Sequence, residues 1–127
     1  MEQLHYNGYT ILVAEDDKTN FEYIRKTFKD TGLTILHAAT GQDAVDCCRD
    51  HPEIRLILMD GRMPVMTGYD ATREIRRFRP EVPVVILTAY VSHTSISDAV
   101  LSGCTDYLAK PIGTKELLTV LKKWLVV

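Results

Sequence analysis

Three acidic residues in a row, Glu15, Asp16 and Asp17, directly follow an apolar run at residues 11–14. Neighbouring carboxylates repel one another and raise one another's pKa, so a buried segment that ends on them calls for a physical reason. Either the acids form a solvated loop, or they are placed to hold a positively charged group. The second interpretation predicts a cation-binding site at the end of this segment.

Other polar residues follow later apolar runs in the same way. Asp60 comes after the third run, Thr88-Ala89 after the fourth and Lys110-Pro111 after the fifth, whereas the second run is followed only by the stretch His37-Ala38-Ala39-Thr40. If the runs are parallel strands, their carboxyl ends meet at one edge of the sheet, where such folds place their sites. We therefore expect the polar groups of four strand ends to converge in one pocket.

The charge of that pocket indicates which ligand it would take. The carboxylates of Glu15, Asp16 and Asp60 with the ammonium group of Lys110 leave a net charge of −2. A divalent cation would cancel this surplus, and oxygen ligands with room for water suit Mg²⁺. A magnesium ion held by carboxylates with open positions is an arrangement that binds phosphoryl groups.

The elements that must position these residues can be read from the apolar pattern. Five short runs, rich in Ile, Leu and Val, lie at residues 10–14, 34–38, 56–59, 84–87 and 105–108. Continuous apolar runs are typical of strands buried on both faces, and helical periodicity separates them. The strand–helix alternation predicts an α/β fold, a doubly wound five-stranded parallel sheet with helices on both faces. We expect one domain over residues 1–127, with its core at about 9–125.

Local signals support this division. Apolar residues recur at helical spacing in three segments: Phe21, Ile24 and Phe28; Ala71, Ile75 and Phe78; Leu117, Leu118, Leu121 and Leu125. Gly32 and Gly103 stand where helix C-caps are expected, and the stretch Thr40-Gly41-Gln42-Asp43 is similar to a capping box. Asp17 is interpreted as an N-cap or a solvated acid of the first helix.

The composition excludes several classes of protein. A net charge of −2 argues against nucleic acid or an anionic membrane as the main partner, and no apolar stretch approaches the ~20 residues of a membrane span. The first ten residues lack the pattern of a signal peptide. The three cysteines have no CxxC spacing and are interpreted as reduced thiols. We predict a cytoplasmic, soluble protein.

Taken together and in order, these residues resemble the receiver domains of two-component response regulators. The resemblance runs from about Tyr9 to Leu125 and is carried by the following residues: Glu15-Asp16, Asp60, Met63-Pro64 with Gly68, Thr88-Ala89, Asp106-Tyr107 and Lys110-Pro111. It implies a flavodoxin-like (βα)5 fold with strand order 2-1-3-4-5. It also implies a phosphorelay function that requires Mg²⁺.

The resemblance assigns roles around the acidic pocket. Asp60 would be the phosphoacceptor, forming an aspartyl phosphate. Asp16 and Asp60 would ligate Mg²⁺ with the backbone carbonyl of Arg62, and Glu15 would contribute directly or through water. Lys110 would pair with Asp60 and then with the phosphoryl oxygens.

The resemblance assigns a switch as well. Thr88 would donate its hydroxyl to the phosphoryl group beside the backbone N–H of Ala89. Movement of Thr88 would leave space for Tyr107 to rotate inward, although a plain core role for Tyr107 stays open. The peptide bond between Lys110 and Pro111 is expected to be cis.

Two large side chains flank the predicted pocket, Arg62 and Tyr90. We hypothesise that they hinder the attacking water and lengthen the lifetime of the phosphoryl group. His93 is interpreted as an exposed loop histidine rather than a metal ligand, since the four histidines share no metal spacing.

Three other classes of protein are alternatives to a receiver. A magnesium-dependent phosphatase would carry a second acid two residues after its nucleophile, where this chain has Arg62. A nucleotide-binding protein would carry GxGxxG or GxxxxGK[ST], and neither motif is present. A binding module that never needs phosphate would not need the complete set of polar groups. We therefore expect a signalling phosphoacceptor that promotes its own phosphorylation and dephosphorylation, not a turnover enzyme.

The sequence also predicts the kind of protein in which this domain occurs and its partner. The stretches EDDKTN and MPVMTGYDATREIR are similar to receivers attached to hybrid sensor histidine kinases, and we favour that origin over a stand-alone receiver. The expected partner is a sensor histidine kinase or a histidine phosphotransfer domain. No contact of this domain with nucleic acid or membrane is expected, and a phosphorylation-dependent homodimer is one further expectation.

Overall fold

The computed structural model describes residues 5–89 and 93–125, apart from the side chains of residues 93 and 94. Five strands alternate with five helices in this part of the chain. The strands are β1 (Thr10–Ala14), β2 (Thr34–Ala38), β3 (Ile54–Asp60), β4 (Val84–Thr88) and β5 (Asp106–Ala109). The helices are α1 (Lys18–Phe28), α2 (Gly41–Asp50), α3 (Gly68–Phe78), α4 (His93–Ser102) and α5 (Thr114–Trp124).

The strands form one parallel sheet in the order β2-β1-β3-β4-β5. The predicted fold class and strand order are thereby confirmed. The predicted runs coincide with β1 and β2, while β3 extends beyond its run at both ends and β5 is shifted by one residue. No described helix is long and apolar enough to cross a membrane.

Alternate residues of each central strand pack on opposite faces of the sheet. Leu12 in β1 and Ile86 in β4 face α2 and α3, whereas Val13 and Leu87 face α1 and α5. All four side chains are essentially inaccessible to solvent. Because both faces are covered, a site on these strands is expected at the edge of the sheet where their carboxyl ends emerge.

Helix ends agree with most of the local signals. Asp17 and Thr40 are N-caps, accepting hydrogen bonds from the backbone N–H groups of Asn20 and Asp43. Gly103 directly follows α4 with a positive φ of 86°, as a C-capping glycine does. The prediction for Gly32 is wrong in position: α1 already ends at Phe28, and Gly32 takes its positive φ in the turn beyond. His93 is the first residue of α4 and not a loop residue as predicted.

The loop between β3 and α3 has two tight features. At Gly68 an added Cβ would lie 1.9 Å from the carbonyl oxygen of Asp60, so only glycine lets α3 begin this close to the end of β3. Val65 has a φ of 70°, and the Met66 N–H donates to the Pro64 carbonyl at 2.8 Å across it. This is a γ-turn, a conformation that is strained for a β-branched residue.

Replacing Val65 with glycine is expected to stabilise the protein. The side chain is 87% exposed, so its removal loses little packing, while the strained backbone relaxes. We expect the free energy of unfolding in urea to rise by about 1 kcal/mol, after the entropic cost of glycine is subtracted. Val65→Ala keeps a Cβ, so its free energy of unfolding should rise by less. An equal gain for both variants would show that the backbone at Val65 is not the source.

Candidate active site

The three acids predicted to form a cation site do converge. Glu15 follows β1 and is 1% exposed, and Asp60 ends β3 and is 7% exposed, whereas Asp16 is open to solvent. One carboxylate oxygen from each lies within 4.8 Å of the others. Two buried acids and one exposed acid, all offering hard oxygen ligands with one side open to water, fit a small divalent cation such as Mg²⁺.

Lys110 reaches this acidic cluster from the end of β5. Its Nζ lies 2.9 Å from Oε1 of Glu15 and 3.3 Å from Oδ2 of Asp60. The contact with Asp60 was expected, but the shorter contact with Glu15 was not. The ammonium group therefore bridges two carboxylates that burial would otherwise make costly.

Electrostatics distinguish the two buried acids. Burial and the adjacent Glu15 carboxylate raise the pKa of Asp60 to about 7. Burial opposes ionisation of Glu15 too, but hydrogen bonding with Asp60 and Lys110 lowers its pKa overall. For Lys110, contacts with both acids outweigh burial and raise its pKa. In this state Glu15 is the acid that carries the charge, and Asp60 is the acid that retains a proton most readily.

Backbone groups hold Asp60 in place. The N–H of Arg62 donates to Oδ1 of Asp60 at 3.1 Å, and the N–H of Gly61 donates to the carbonyl of Leu87 on β4 at 3.0 Å. One carboxylate oxygen of Asp60 thus faces a backbone donor and the other faces Lys110. Metal binding by the Arg62 carbonyl stays a prediction.

Thr88 and Ala89 lie at the carboxyl end of β4, beside the acids. Thr88 is 7% exposed, and its carbonyl accepts a hydrogen bond from the N–H of Lys110 at 2.7 Å. Tyr107 on β5 is half-buried and packs against the core beneath α2 and α3. Tyr90 and the side chain of His93 lie outside the described residues.

The loop after Lys110 is tied to α1. Its peptide bond to Pro111 is cis, as predicted. The hydroxyl of Tyr23 on α1 donates to the carbonyl of Ile112 at 3.1 Å and lies 3.1 Å from Oγ1 of Thr114. A cavity of about 700 Å³ lies between α1 and this loop, with Glu15 and Lys110 among its lining residues. Sequence reasoning missed Tyr23, because the contact joins residues 89 positions apart.

His37 is a second residue at the site that sequence reasoning missed. Its Nε2 lies 2.8 Å from the backbone carbonyl oxygen of Glu15, and its ring stacks on Phe21. The available signal was weak: His37 was the only titratable side chain near the end of the second predicted strand.

Comparison with known proteins agrees with this geometry. The sequence profile of the family described as "Response regulator receiver domain" matches residues 11–122. The sensor histidine kinase CheAY of Helicobacter pylori is 33% identical over 120 residues, which are 92% of this chain and 15% of that protein. The chain spans between 8% and 26% of the length of such curated relatives.

Solved structures give the same result. The receiver domain of the sensor histidine kinase PA1611 from Pseudomonas aeruginosa, with a magnesium ion coordinated in its active-site cleft, is 37% identical. Its TM-score is 0.82, covering 93% of this chain and 98% of that one. The co-crystal structure of the Saccharomyces cerevisiae phosphotransfer protein Ypd1 with the receiver domain of Ssk1 matches with a TM-score of 0.85, at 29% identity over 94% of this chain and 90% of that one.

The profile match covers most of the chain, and sensor histidine kinases are among the relatives, as the sequence predicted. The fold, the strand order and the acidic edge of the sheet are consistent with that match. The chain belongs to the response regulator receiver domain family of two-component signalling proteins.

Proposed function

We propose that Asp60 is the phosphoacceptor of a two-component phosphorelay and takes its phosphoryl group from a phosphohistidine on a partner protein. The observation that carries the proposal is the position of Asp60: a buried carboxylate at the end of β3, in contact with Lys110 and beside two further acids. A carboxylate in such surroundings can form a covalent acyl phosphate.

The transfer is a displacement at phosphorus. A carboxylate oxygen of Asp60 forms the new O–P bond as the P–N bond to the imidazole of the donor breaks. The imidazole leaves with the bonding electron pair and acquires a proton from water. Little covalent chemistry is asked of the other residues, so their contribution is positioning and charge compensation.

Glu15, Asp16, Asp60 and the carbonyl of Arg62 would hold the Mg²⁺ ion. When bound, the ion supplies positive charge to the acidic cluster and to the phosphoryl oxygens. The magnesium ion in the PA1611 receiver supports this assignment.

Three groups around Asp60 would stabilise the transferred phosphoryl group. The ammonium of Lys110 already lies 3.3 Å from Asp60 and can turn to a phosphoryl oxygen with little movement. The hydroxyl of Thr88 and the N–H of Ala89, on the neighbouring strand end, would donate to the remaining oxygens.

A sensor histidine kinase or a histidine phosphotransfer domain is the partner we propose. The complex of Ypd1 with the Ssk1 receiver domain supports this class of partner. The chain would act as a carrier and switch that also promotes loss of its own phosphoryl group, within a single domain over residues 1–127. We propose a homodimer of the phosphorylated form as a secondary feature.

The first test is intact mass after incubation with acetyl phosphate or a phosphorylated histidine phosphotransfer domain, in the presence of Mg²⁺. We expect a gain of one phosphoryl group, because Asp60 can form one acyl phosphate. The gain should be absent in Asp60→Asn and after chelation with EDTA.

Asp50→Asn is the matched control, because Asp50 is an exposed acid at the end of α2. It should be phosphorylated like the wild type. A wild-type protein that gains no mass from either donor would overturn the proposal in favour of a phosphate-independent binding module.

The switch can be tested by NMR with beryllofluoride, a mimic of the phosphoryl group. If Thr88 and Tyr107 couple the site to β5, the mimic should shift amide signals of β5 and α5 in the wild type. In Thr88→Ala these distant shifts should be lost while those next to Asp60 remain. Equal shifts in both proteins would contradict the role of Thr88, and Tyr107→Ala tests the second step in the same way.

The raised pKa of Asp60 predicts a dependence of stability on pH. Because the folded state holds the proton up to about pH 7, against 3.8 for an ordinary Asp, ionisation of Asp60 destabilises the metal-free protein as pH rises through this range. Relative to wild type, Asp60→Asn should gain on the order of 1–2 kcal/mol in free energy of unfolding between pH 5 and pH 8. Urea denaturation in EDTA measures this gain. A difference between the two proteins that does not vary with pH would contradict the charge assignment, and Asp50→Asn should show none.

A further inference from the structure

We propose that His37 is a positioning residue for the cation-binding carboxylates, acting through the backbone of Glu15. The inference rests on the proposed function and adds a residue to it. Its basis is the 2.8 Å contact between Nε2 of His37 and the carbonyl oxygen of Glu15. A carbonyl oxygen has no hydrogen to give, so Nε2 carries the proton and donates it.

The contact replaces a missing part of the sheet. The β1–β2 ladder pairs Val13 with His37 and Ala14 with Ala38, and the N–H of Glu15 still donates to the carbonyl of Ala38 at 2.9 Å. β2 ends there, and Thr40 already caps α2, so β2 has no further residue to meet the Glu15 carbonyl. The side chain of His37 supplies the donor that the strand no longer provides.

The ring of His37 is held in a fixed position by α1. Its centroid lies 3.8 Å from that of Phe21, with an angle of 20° between the rings. Stacking of the two flat rings at this distance limits rotation of both side chains. Because Phe21 lies in the first turn of α1, the ring pair joins the end of β2 to the helix that follows the acids.

Fixing this carbonyl fixes the acids on both sides of it. The Glu15 carbonyl and the Asp16 N–H belong to one planar peptide unit, so its orientation sets where both side chains begin. One of these carboxylates is buried against Lys110 and the other is exposed, and the predicted cation needs both. Without the donor from His37, the peptide unit can rotate, and the two carboxylates spend less time in the positions that bind the cation.

Calorimetric titration of the full chain with Mg²⁺ tests this directly. His37→Phe keeps a ring to stack on Phe21 but has no donor, and we expect the Kd for Mg²⁺ to rise roughly two- to tenfold. His37→Gln places an amide donor at a similar reach and should restore most of the affinity. His51→Phe is the matched control, because His51 is the half-buried C-cap of α2 and contacts Glu53, and it should leave the Kd unchanged.

NMR of the metal-free protein gives a second readout that does not depend on activity. Long-range ¹H–¹⁵N correlations should show wild-type His37 with its proton on Nε2. The carbonyl ¹³C signal of Glu15 should move upfield in His37→Phe and return in His37→Gln.

Several results would overturn the inference. One is a wild-type Kd in His37→Phe; another is an equal loss of affinity in the Phe and Gln variants. A neutral His37 with its proton on Nδ1 would also overturn it, and this measurement needs no variant to fold. If the wild type itself binds no Mg²⁺, both this inference and the cation site of the proposed function fail, whereas the other results leave the proposed function intact.

Discussion

The structure depends on the electrostatic cost of placing two carboxylates, Glu15 and Asp60, side by side in a buried position at the edge of the sheet. Left alone, one of them would hold a proton at neutral pH, and the raised pKa of Asp60 reports that tendency. Lys110 offsets part of the repulsion through contacts to both. One ammonium does not neutralise three acids, and this residual negative charge is what a divalent cation would meet.

Lys110 can offset this repulsion only if the ends of β1, β3 and β5 lie close together, and the fold holds them there. The three central strands β1, β3 and β4 are buried on both faces, and the close-packed core fixes their directions, while β5 pairs with β4 at the edge of the sheet. At Gly68 the backbone of α3 lies against the Asp60 carbonyl, where a side chain would not fit. At Ile112 the hydroxyl of Tyr23 anchors the loop that follows Lys110. The strained backbone at Val65 belongs to the loop between β3 and α3, which leaves the sheet directly after Asp60.

The sequence predicted the strands and the edge of the sheet at which their carboxyl ends meet. It did not predict which side chains contact one another there. Continuous apolar runs located the strands, and the parallel arrangement then placed Asp60, Thr88 and Lys110 at one edge. The preference of Lys110 for Glu15 was not predictable, because it depends on the reach of the longer acid within the folded pocket. His37 was missed because a single histidine has no spacing pattern. Gly32 was misplaced because α1 ends at Phe28, four residues before this glycine takes its positive φ in the following turn.

The shared contact of Lys110 also bears on how the proposed signal could arise. Its ammonium is 2.9 Å from one acid and 3.3 Å from the other, so a small change in their relative charge alters which one it favours. A phosphoryl group on Asp60 would add negative charge there and draw Lys110 away from Glu15. The backbone N–H of Lys110 donates to the Thr88 carbonyl, so a shift of Lys110 would move the end of β4 as well as β5. The interaction that makes the buried acids tolerable would then be the same one that links their chemical state to the outer strands of the sheet.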